Sequence, residues 1–189
     1  MKTKELKIIL RKMNKNNIAI IGHMGSGKSH LGKILAKKLY LDHFDSDLEI
    51  TNKLGKSINV IFNTEGEEYF RKIEKQTLNN LIKKKNIILS LGGGSILNKS
   101  SRDIIKNKSI TIFLDVNLGE LVKRLKKSTG RPLLKNVDIK EKVKELDSVR
   151  RKYYLRADII INNTGISAHK TCENIFNKLY YFSEKNYTN

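Results

Sequence analysis

Residues 22 to 29 are Gly22-His23-Met24-Gly25-Ser26-Gly27-Lys28-Ser29, and they follow the apolar run Ile18–Ile21. They match the phosphate-loop (P-loop) pattern G-x-x-x-x-G-K-[ST] without a gap, between a predicted strand and a predicted helix. Glycines let backbone N–H groups turn toward a phosphate, and the helix N-terminus favours negative charge. In this pattern Lys28 reaches the β- and γ-phosphate oxygens and Ser29 ligates Mg²⁺. The stretch therefore predicts a nucleotide phosphate site, in which we interpret His23 as a variable position.

Outward from this loop, short apolar runs typical of strands alternate with helical patterns. Strands are predicted at Ile18–Ile21, Leu41–Phe44, Ile87–Leu91, Ile110–Leu114 and Asp158–Ile161. Helices are predicted at 28–40, 47–54, 58–62, 64–85, 118–127, 140–154 and 168–182, the fourth from a capping-box pattern at 64–67. Such alternation is typical of an α/β fold with a parallel sheet.

The domain prediction is a single unit over residues 17–189 behind a basic extension of residues 1–16. That extension is expected to be either frayed or helical, and Met13 is an alternative start. Its apolar trio Ile8–Leu10 is too short for a secretory signal. No run of the chain reaches the 18 or so apolar residues of a membrane span, and we predict no membrane partner.

The composition suits a globular protein of the cytoplasm. Hydrophobic residues make up 39% of the 189 residues and charged residues 30%, which argues against disorder. The single cysteine, Cys172, excludes an intrachain disulfide and offers no metal cluster. These features fit a reducing compartment, and we expect a cytoplasmic monomer.

The charge is the unusual feature, because 38 Lys and Arg face 19 Asp and Glu for a net charge of +19. One interpretation is a nucleic-acid partner. The other is a lysine-rich chain with an anionic substrate. The lysines are scattered through every segment without interleaved aromatic residues, so we favour the second and predict no nucleic-acid partner. A positive field would still steer ATP and an acidic substrate toward the site.

Two further motifs follow predicted strands. Asp45-Ser46-Asp47 comes after the second strand, where one carboxylate can hold Mg²⁺ through water and the other can accept a hydrogen bond from an attacking hydroxyl. Alone, such a pair is more often a solvated turn. Gly92-Gly93-Gly94 ends the third strand. A tight turn needs fewer glycines, so the third indicates a bound molecule nearby.

Several arginines have two interpretations each. Arg71 and Glu74 share a helix face, and the helix pattern alone favours an ordinary surface ion pair over a guanidinium fork aimed at a carboxylate. Arg131 lies in a predicted loop, 128–138, and could neutralise a transferring phosphoryl group, while Arg124 could stack on adenine. Of the adjacent cations Arg150, Arg151 and Lys152, at most one or two can face a pocket.

Together and in this order, these segments resemble shikimate kinase from about Asn17 onward. The most specific motifs are Phe44-Asp45-Ser46-Asp47, Ile61-Phe62 with Glu65-Gly66-Glu67, Phe70-Arg71-Lys72-Ile73-Glu74, Leu91-Gly92-Gly93-Gly94 and Gly130-Arg131-Pro132-Leu133-Leu134. The resemblance implies a three-layer P-loop kinase fold, with a central five-stranded parallel sheet flanked by helices and a lid. It also implies phosphorylation of the 3-hydroxyl of shikimate by MgATP, in the chorismate pathway to the aromatic amino acids.

The resemblance also assigns roles to residues. The catalytic residues it implies are Lys28, Asp47 and Arg131. The nucleotide-binding residues are Gly25, Ser26, Gly27, Lys28, Ser29, His30, Arg124 and Arg131. The shikimate-binding residues are Asp47, Arg71, Gly92, Gly93, Gly94 and Arg150, and the Mg²⁺ residues are Ser29 and, in the outer shell, Asp45. For Arg71 this overturns the surface ion pair.

One departure from the family leaves an alternative open. The C-terminal substrate arginine of the family usually opens a segment R-x-P-L-Y, but residues 150–154 are Arg-Arg-Lys-Tyr-Tyr and lack the proline. Counting back from Tyr154 selects Arg150, and Arg151 stays open. The remaining alternatives are a gluconate or nucleoside monophosphate kinase, a nucleic-acid-binding ATPase and a non-catalytic homologue. The intact motifs argue against the last.

Overall fold

The computed structural model describes residues 3–127, 132–134 and 137–185. Its strands are β1 (Asn17–Ile21), β2 (Asp42–Asp45), β3 (Ile87–Ser90), β4 (Ser109–Asp115) and β5 (Ile159–Asn162). All neighbouring pairs are parallel, in the order β2-β3-β1-β4-β5. The predicted five-stranded parallel sheet is confirmed. Because β1 lies at its centre, the loop that follows β1 opens in the middle of the carboxyl edge.

Helices cover both faces of the sheet. They are α1 (Thr3–Lys12), α2 (Lys28–Leu39), α3 (Ser46–Leu54), α4 (Ile58–Leu81), α5 (Lys99–Lys108), α6 (Leu118–Lys126), α7 (Ile139–Tyr154) and α8 (Ala168–Lys185), with a 3₁₀ turn at Pro132–Leu134. None of the helices in the described ranges is long and apolar enough to cross a membrane.

The strands are apolar on both faces, as buried parallel strands are. Ile18 and Ile20 point to a core formed with α1, α2 and α8. Ala19 and Ile21, the alternate residues of the same strand, point to a second core formed with α4, α5 and the end of α7. The predicted three-layer arrangement is confirmed.

The helix α1 packs against the first of these cores. Leu6, Ile9 and Leu10 are buried there, while Ile8 lies on the outer face. The hydroxyl of Thr3 donates to the carbonyl of Leu39 at the end of α2, at 2.6 Å. Residues 3–12 are thus helical and in contact with the domain, while the assignment of 1–16 as a separate extension stays a prediction.

Two helices differ from the sequence prediction. The two predicted helices, 58–62 and 64–85, correspond to the two parts of α4, but the start predicted at Thr64 is about two residues early, because the Thr64 hydroxyl still donates to the carbonyl of Val60 in the first part of α4. Gly66, with φ 84° and ψ 171°, interrupts it, and a residue with a side chain would be strained there. The helix α5 was not predicted, because only Ser101 and Ile105 are buried in a polar decapeptide, which gives no apolar stripe.

Candidate active site

A cleft lies at the carboxyl edge of the sheet, beside the P-loop. Its walls come from the P-loop, from α3, α4 and α7 and from the segment after β3, and Leu133 closes one side. The lining residues are Met24, Lys28, Asp47, Ile58, Phe62, Phe70, Arg71, Glu74, Gly92, Gly93, Gly94, Leu133 and Arg150. Charged groups therefore meet an apolar wall within reach of the phosphate-binding lysine.

The P-loop ends where α2 begins. Gly27 is the N-cap residue and has φ 94°, a conformation that glycine adopts at little cost. The Lys28 ammonium is buried under the loop and donates to the carbonyls of Gly22 and His23, at 2.9 and 2.7 Å. His30 lies exposed on the first turn of α2. In this arrangement the Lys28 ammonium donates to loop carbonyls, and it would have to donate to phosphate oxygens instead when a nucleotide binds.

Ser29 and Asp45 stand together beside the loop. The Ser29 hydroxyl donates to Asp45 Oδ2, while Asp45 Oδ1 accepts from the backbone N–H of Asp47 at 3.0 Å and so caps α3. Hydroxyl and carboxylate oxygens are the donors that Mg²⁺ prefers, usually with one or two carboxylates and the substrate phosphates. In the described ranges no cluster of three or more acidic, His or Cys side chains forms a metal site. The pair fits Mg²⁺ held mainly by phosphate oxygens.

The first of the three glycines lies between two carboxylates. A Cβ atom on Gly92 would stand 2.6 Å from Asp47 Oδ1 and 2.7 Å from Glu74 Oε1. The Gly92 N–H donates to the hydroxyl of Ser46, at 2.9 Å, which ties this segment to α3. Any larger residue at 92 would displace the carboxylate predicted to meet the acceptor hydroxyl.

The other two glycines make room for guanidinium groups. A Cβ on Gly93 would stand 3.2 Å from Arg150 Nη1, and one on Gly94 would stand 2.7 Å from Arg71 Cζ. A side chain at 94 would displace the Arg71 guanidinium, and one at 93 would require Arg150 to move by a few tenths of an ångström. The glycine segment therefore lets two cations reach one cleft from different helices.

Arg71 is held by two carboxylates of its own helix. Its Nη1 donates to Glu74 Oε2 at 2.7 Å, and its Nε and Nη2 donate to Glu67 Oε1 at 3.1 and 2.8 Å. Burial alone would lower the pKa of Arg71, but the charges of and hydrogen bonds from Glu74 and Glu67 outweigh it and raise that pKa. Arg71 is thus a fixed cation on the cleft wall, and the helix-surface ion pair is part of what orients it.

Glu74 orients this arginine from the interior. It is 5% exposed, and its second oxygen accepts from the hydroxyl of Ser95 at 2.7 Å. A buried carboxylate needs such partners to remain charged. The i, i+3 spacing from Arg71 indicated the ion pair, but no pattern in the sequence indicates that Glu74 is buried or that Ser95 is its partner.

Arg150 and Arg151 face different surroundings. Arg150 is 2% exposed, lines the cleft, and its Nε has no hydrogen-bond partner among the described residues. Arg151 has a side chain 40% exposed and forms a bidentate pair with Asp115, at 3.2 and 3.0 Å. Arg150 therefore lines the cleft while Arg151 is paired outside it, and the choice of Arg150 as the acceptor arginine stays a prediction.

Behind the P-loop, Arg124 and Asn163 hold its backbone. The Arg124 guanidinium donates to Gly25 O and Asn163 O, both at 3.4 Å, and to Glu120 at 2.8 Å. The Asn163 amide donates to Ser26 O at 2.9 Å. Sequence analysis missed Asn163, although its place just after the last strand, at the same sheet edge as the P-loop, was a usable signal.

The family model for shikimate kinase matches residues 24–180. The chain belongs to the shikimate kinase family. A shikimate kinase from Alteromonas mediterranea is 38% identical over 166 residues, covering 87% of this chain and 97% of that protein. One from Francisella tularensis subsp. holarctica is 38% identical over 168 residues, covering 88% of this chain and 93% of that protein.

Solved shikimate kinases have the same fold. The enzyme from Acinetobacter baumannii, in complex with shikimate, aligns with a TM-score of 0.85 at 32% identity and covers 88% of this chain and 94% of its own. The one from Aquifex aeolicus aligns with a TM-score of 0.77 at 35% identity, covering 87% and 96%. A gluconokinase from Sinorhizobium meliloti reaches 0.59 at 14% identity, which shows a likeness of fold alone.

Within this shikimate kinase fold, most of the predicted site residues converge. The cleft itself holds Lys28, Asp47, Arg71, Gly92, Gly93, Gly94 and Arg150. Ser29, Asp45 and Arg124 contact the P-loop or its first helical turn. Arg131 lies outside the described residues, as does most of the predicted loop around it. The individual roles stay predictions.

Proposed function

We propose that this chain transfers the γ-phosphoryl group of ATP to the 3-hydroxyl of shikimate, giving shikimate 3-phosphate and ADP for the chorismate pathway. The observation that carries the proposal is the cleft in which Arg71 and Arg150 face Asp47 beside the P-loop lysine. Shikimate is a hydroxylated carboxylate, so two guanidinium groups suit its carboxylate and one carboxylate suits its hydroxyls. A relative at 32% identity has been solved in complex with shikimate.

We assign each of these residues a task in the transfer. Asp47 orients the 3-hydroxyl and accepts its proton as the oxygen attacks phosphorus, while the bond to the ADP oxygen breaks. Lys28 exchanges the carbonyls of Gly22 and His23 for phosphate oxygens, so its charge is supplied to the phosphoryl group. We assign Arg131, on the predicted lid, the same role of stabilising the charge on the transferring phosphoryl group.

Ser29 and Asp45 would hold Mg²⁺. The ion supplies neutralisation of the charge on the β- and γ-phosphate oxygens. Ser29 already contacts Asp45 and lies at the start of α2, so both oxygens are placed beside the phosphates that the P-loop binds. We assign adenine to the vicinity of Arg124, on the outer side of the loop.

We further propose a cytoplasmic monomer without a nucleic-acid partner. The scattered distribution of lysines supports this, because nucleic-acid surfaces gather cations on one face. The charge of +19 is instead matched to two anionic substrates.

A coupled assay of ADP release tests the activity. ADP should appear with shikimate and not with gluconate, a nucleoside monophosphate or nucleic acid in its place. ADP release that ignores shikimate, or that follows one of these other acceptors, contradicts the proposal.

The role of Asp47 is tested by Asp47→Ala. Turnover should fall by about 10²-fold or more, the usual size of a lost general base, while ATP binding persists. Asp42→Ala is the matched control, because Asp42 lies exposed at the start of β2. Normal turnover of Asp47→Ala would remove this residue from the mechanism.

A further inference from the structure

The side chain of His23 leaves the P-loop and is buried against α7. It is 4% exposed, and its Nε2 lies 2.8 Å from Asp147 Oδ1. Its ring also meets Tyr154 edge-on, with centroids 5.0 Å apart and an interplanar angle of 74°. A solvent-facing loop position would show neither contact, so the interpretation of His23 as a variable position is incomplete.

The same face of α7 carries the predicted acceptor arginine. Asp147, Arg150 and Tyr154 are spaced i, i+3 and i+7, so they share one side of the helix. The Tyr154 hydroxyl donates to the carbonyl of Gly93 at 2.6 Å, and its ring stacks on Phe113 of β4. Contacts on either side of Arg150 therefore fix its height along the cleft wall.

The backbone of His23 belongs to the nucleotide site. Its carbonyl accepts from the Lys28 ammonium at 2.7 Å. One residue thus contacts the phosphate-binding lysine through its main chain and α7 through its side chain.

We propose that His23 is a positioning residue for the acceptor: through Asp147 it holds α7 against the P-loop, so that Arg150 stands at the right distance from the phosphate to receive the substrate carboxylate. The proposal rests on the function proposed above. Without the contact between His23 and Asp147, the side of α7 that carries Arg150 is no longer held against the P-loop at its Asp147 end. The glycines of the P-loop and Lys28 stay in place.

The charges around the contact are consistent with this role. Burial is the main cause of the lowered pKa of His23, with Arg150 and Lys28 adding to it and Asp147 opposing it. Neutral His23 therefore donates its Nε2 proton to the carboxylate. Asp147 also meets Arg151 at 3.7 Å, and Arg151 binds Asp115, so the link continues to the end of β4.

The test uses His23→Phe and Asp147→Ala in the full chain. Phenylalanine retains a ring against Tyr154 and removes only the hydrogen bond. We expect the KM for shikimate to rise by about 5-fold to 30-fold, less than the roughly tenfold to hundredfold value of a hydrogen bond to a charged group, because the loss reaches the substrate only through Arg150. The KM for ATP should change by less than about threefold. The shikimate KM of the double variant should be no higher than that of the more impaired single variant, because both substitutions remove the same contact.

Two further variants separate positioning from stability. Asp147→Asn retains an acceptor oxygen and should restore most of the shikimate KM. Glu145→Ala breaks an exposed pair with Lys142 on the same helix and should leave both KM values unchanged. Loss of folded enzyme would lower kcat per milligram without a selective rise in one KM.

The outcomes distinguish a failure of the positioning role of His23 from a failure of the proposed function. If the unaltered chain has no shikimate-dependent ADP release, the proposed function fails. If the unaltered chain turns over shikimate and His23→Phe retains its shikimate KM, the function stands and the positioning role is wrong. Additive effects in the double variant would equally overturn the proposal, because they would place the two residues in separate interactions.

Discussion

At the residue scale, Arg150 and Arg151 are neighbours in the chain with opposite surroundings. Arg150 lines the cleft beside Gly93, whereas Arg151 pairs with Asp115 on the outer side of α7. Counting back four residues from Tyr154 selects Arg150, but counting from Tyr153 gives Val149, so the family pattern without its proline left Arg151 open. Burial separates them, and burial depends on how α7 packs.

Replacement of each arginine by glutamine tests this difference. Arg150→Gln should raise the KM for shikimate by about tenfold to a hundredfold, as expected for a lost charge-assisted hydrogen bond, with the KM for ATP almost unchanged. Arg151→Gln should change the shikimate KM by less than about threefold, because its partner Asp115 lies outside the cleft. Steady-state kinetics with each substrate varied decides it, and a reversal of the two effects would assign the acceptor to Arg151.

Two histidines, the buried His23 and the half-buried His43, make stability depend on pH. Burial is the main cause of the lowered pKa values of His23 and His43. The Ser90 hydroxyl lies 2.9 Å from His43 Nε2 and donates its own proton to Lys28 O, so His43 is the donor in that pair. The charge of Asp45 opposes the lowering of the His43 pKa, but burial outweighs it.

The free energy of unfolding should therefore fall as the pH drops below about 6.5, the ordinary histidine pKa. The unfolded chain takes up protons there before the folded chain does, so the stabilisation is complete above that pH and is lost toward the folded pKa values. Urea unfolding at several pH values measures it. His43→Gln, which retains a donor without titrating, should flatten the fall, and an identical pH profile would exclude His43 as a contributor.

At the scale of elements, α1 is a helix whose importance lies in its buried face. Leu6 is 0% exposed and belongs to the core shared with α2 and α8, whereas Ile8 is 44% exposed. The two residues are aliphatic, two positions apart and in the same helix. They form a matched pair for testing whether α1 contributes to stability.

Leu6→Ala should lower the free energy of unfolding by about 2–4 kcal/mol, through lost apolar burial and a residual cavity. Ile8→Ala should cost less than about 1 kcal/mol, because little of its surface is removed from water. Chemical unfolding monitored by circular dichroism gives both values. Equal effects would show that α1 does not pack as described, and neither variant should alter the KM for shikimate, since α1 does not line the cleft.

The elements also show where sequence patterns suffice. Strands could be placed within about one residue because β1 and β4 are buried on both faces and so are continuously apolar. The helix α5 could not, since it buries too little to leave a periodic pattern. The second part of α4 was predicted to start at Thr64, but the helix breaks at Gly66, and the Thr64 hydroxyl donates to the carbonyl of Val60 instead of capping a new helix.

At the scale of the whole molecule, the charge of +19 surrounds a site for two anions. Arg71, Arg150 and Lys28 line one cleft, and these cations are only a small share of the excess. The positive charges outside the cleft attract the substrates only over longer distances, so salt should screen that attraction.

Raising ionic strength should therefore raise the KM values of both ATP and shikimate while kcat changes little. Between about 0.05 M and 0.5 M salt the screening length falls several-fold, and we expect each KM to rise at least about twofold. An uncharged osmolyte at equal osmolarity is the control. Salt-independent KM values would confine substrate attraction to the cleft itself.

The sequence predicted which side chains form the candidate site better than it predicted the contacts that hold them in place. The phosphate-loop pattern located Lys28 by itself, whereas the roles predicted for Asp47 and Arg71 came from the resemblance to shikimate kinase, because the helix pattern around Arg71 favoured a surface ion pair. The partners that hold those side chains come from distant segments without a fixed spacing. The burial of Glu74 and its hydrogen bond with Ser95 are examples that only the packed fold reveals.

The glycine segment 92–94 has a consequence for inhibitors. A compound that fills the space above it would touch main chain there, with its other contacts on Asp47, Arg71 and Arg150. A side chain introduced at 92 or 94 to block such a compound would push against Asp47 or Arg71, to which we assign the acceptor. If those roles hold, a substitution that excludes the inhibitor at these two positions would also impair the reaction.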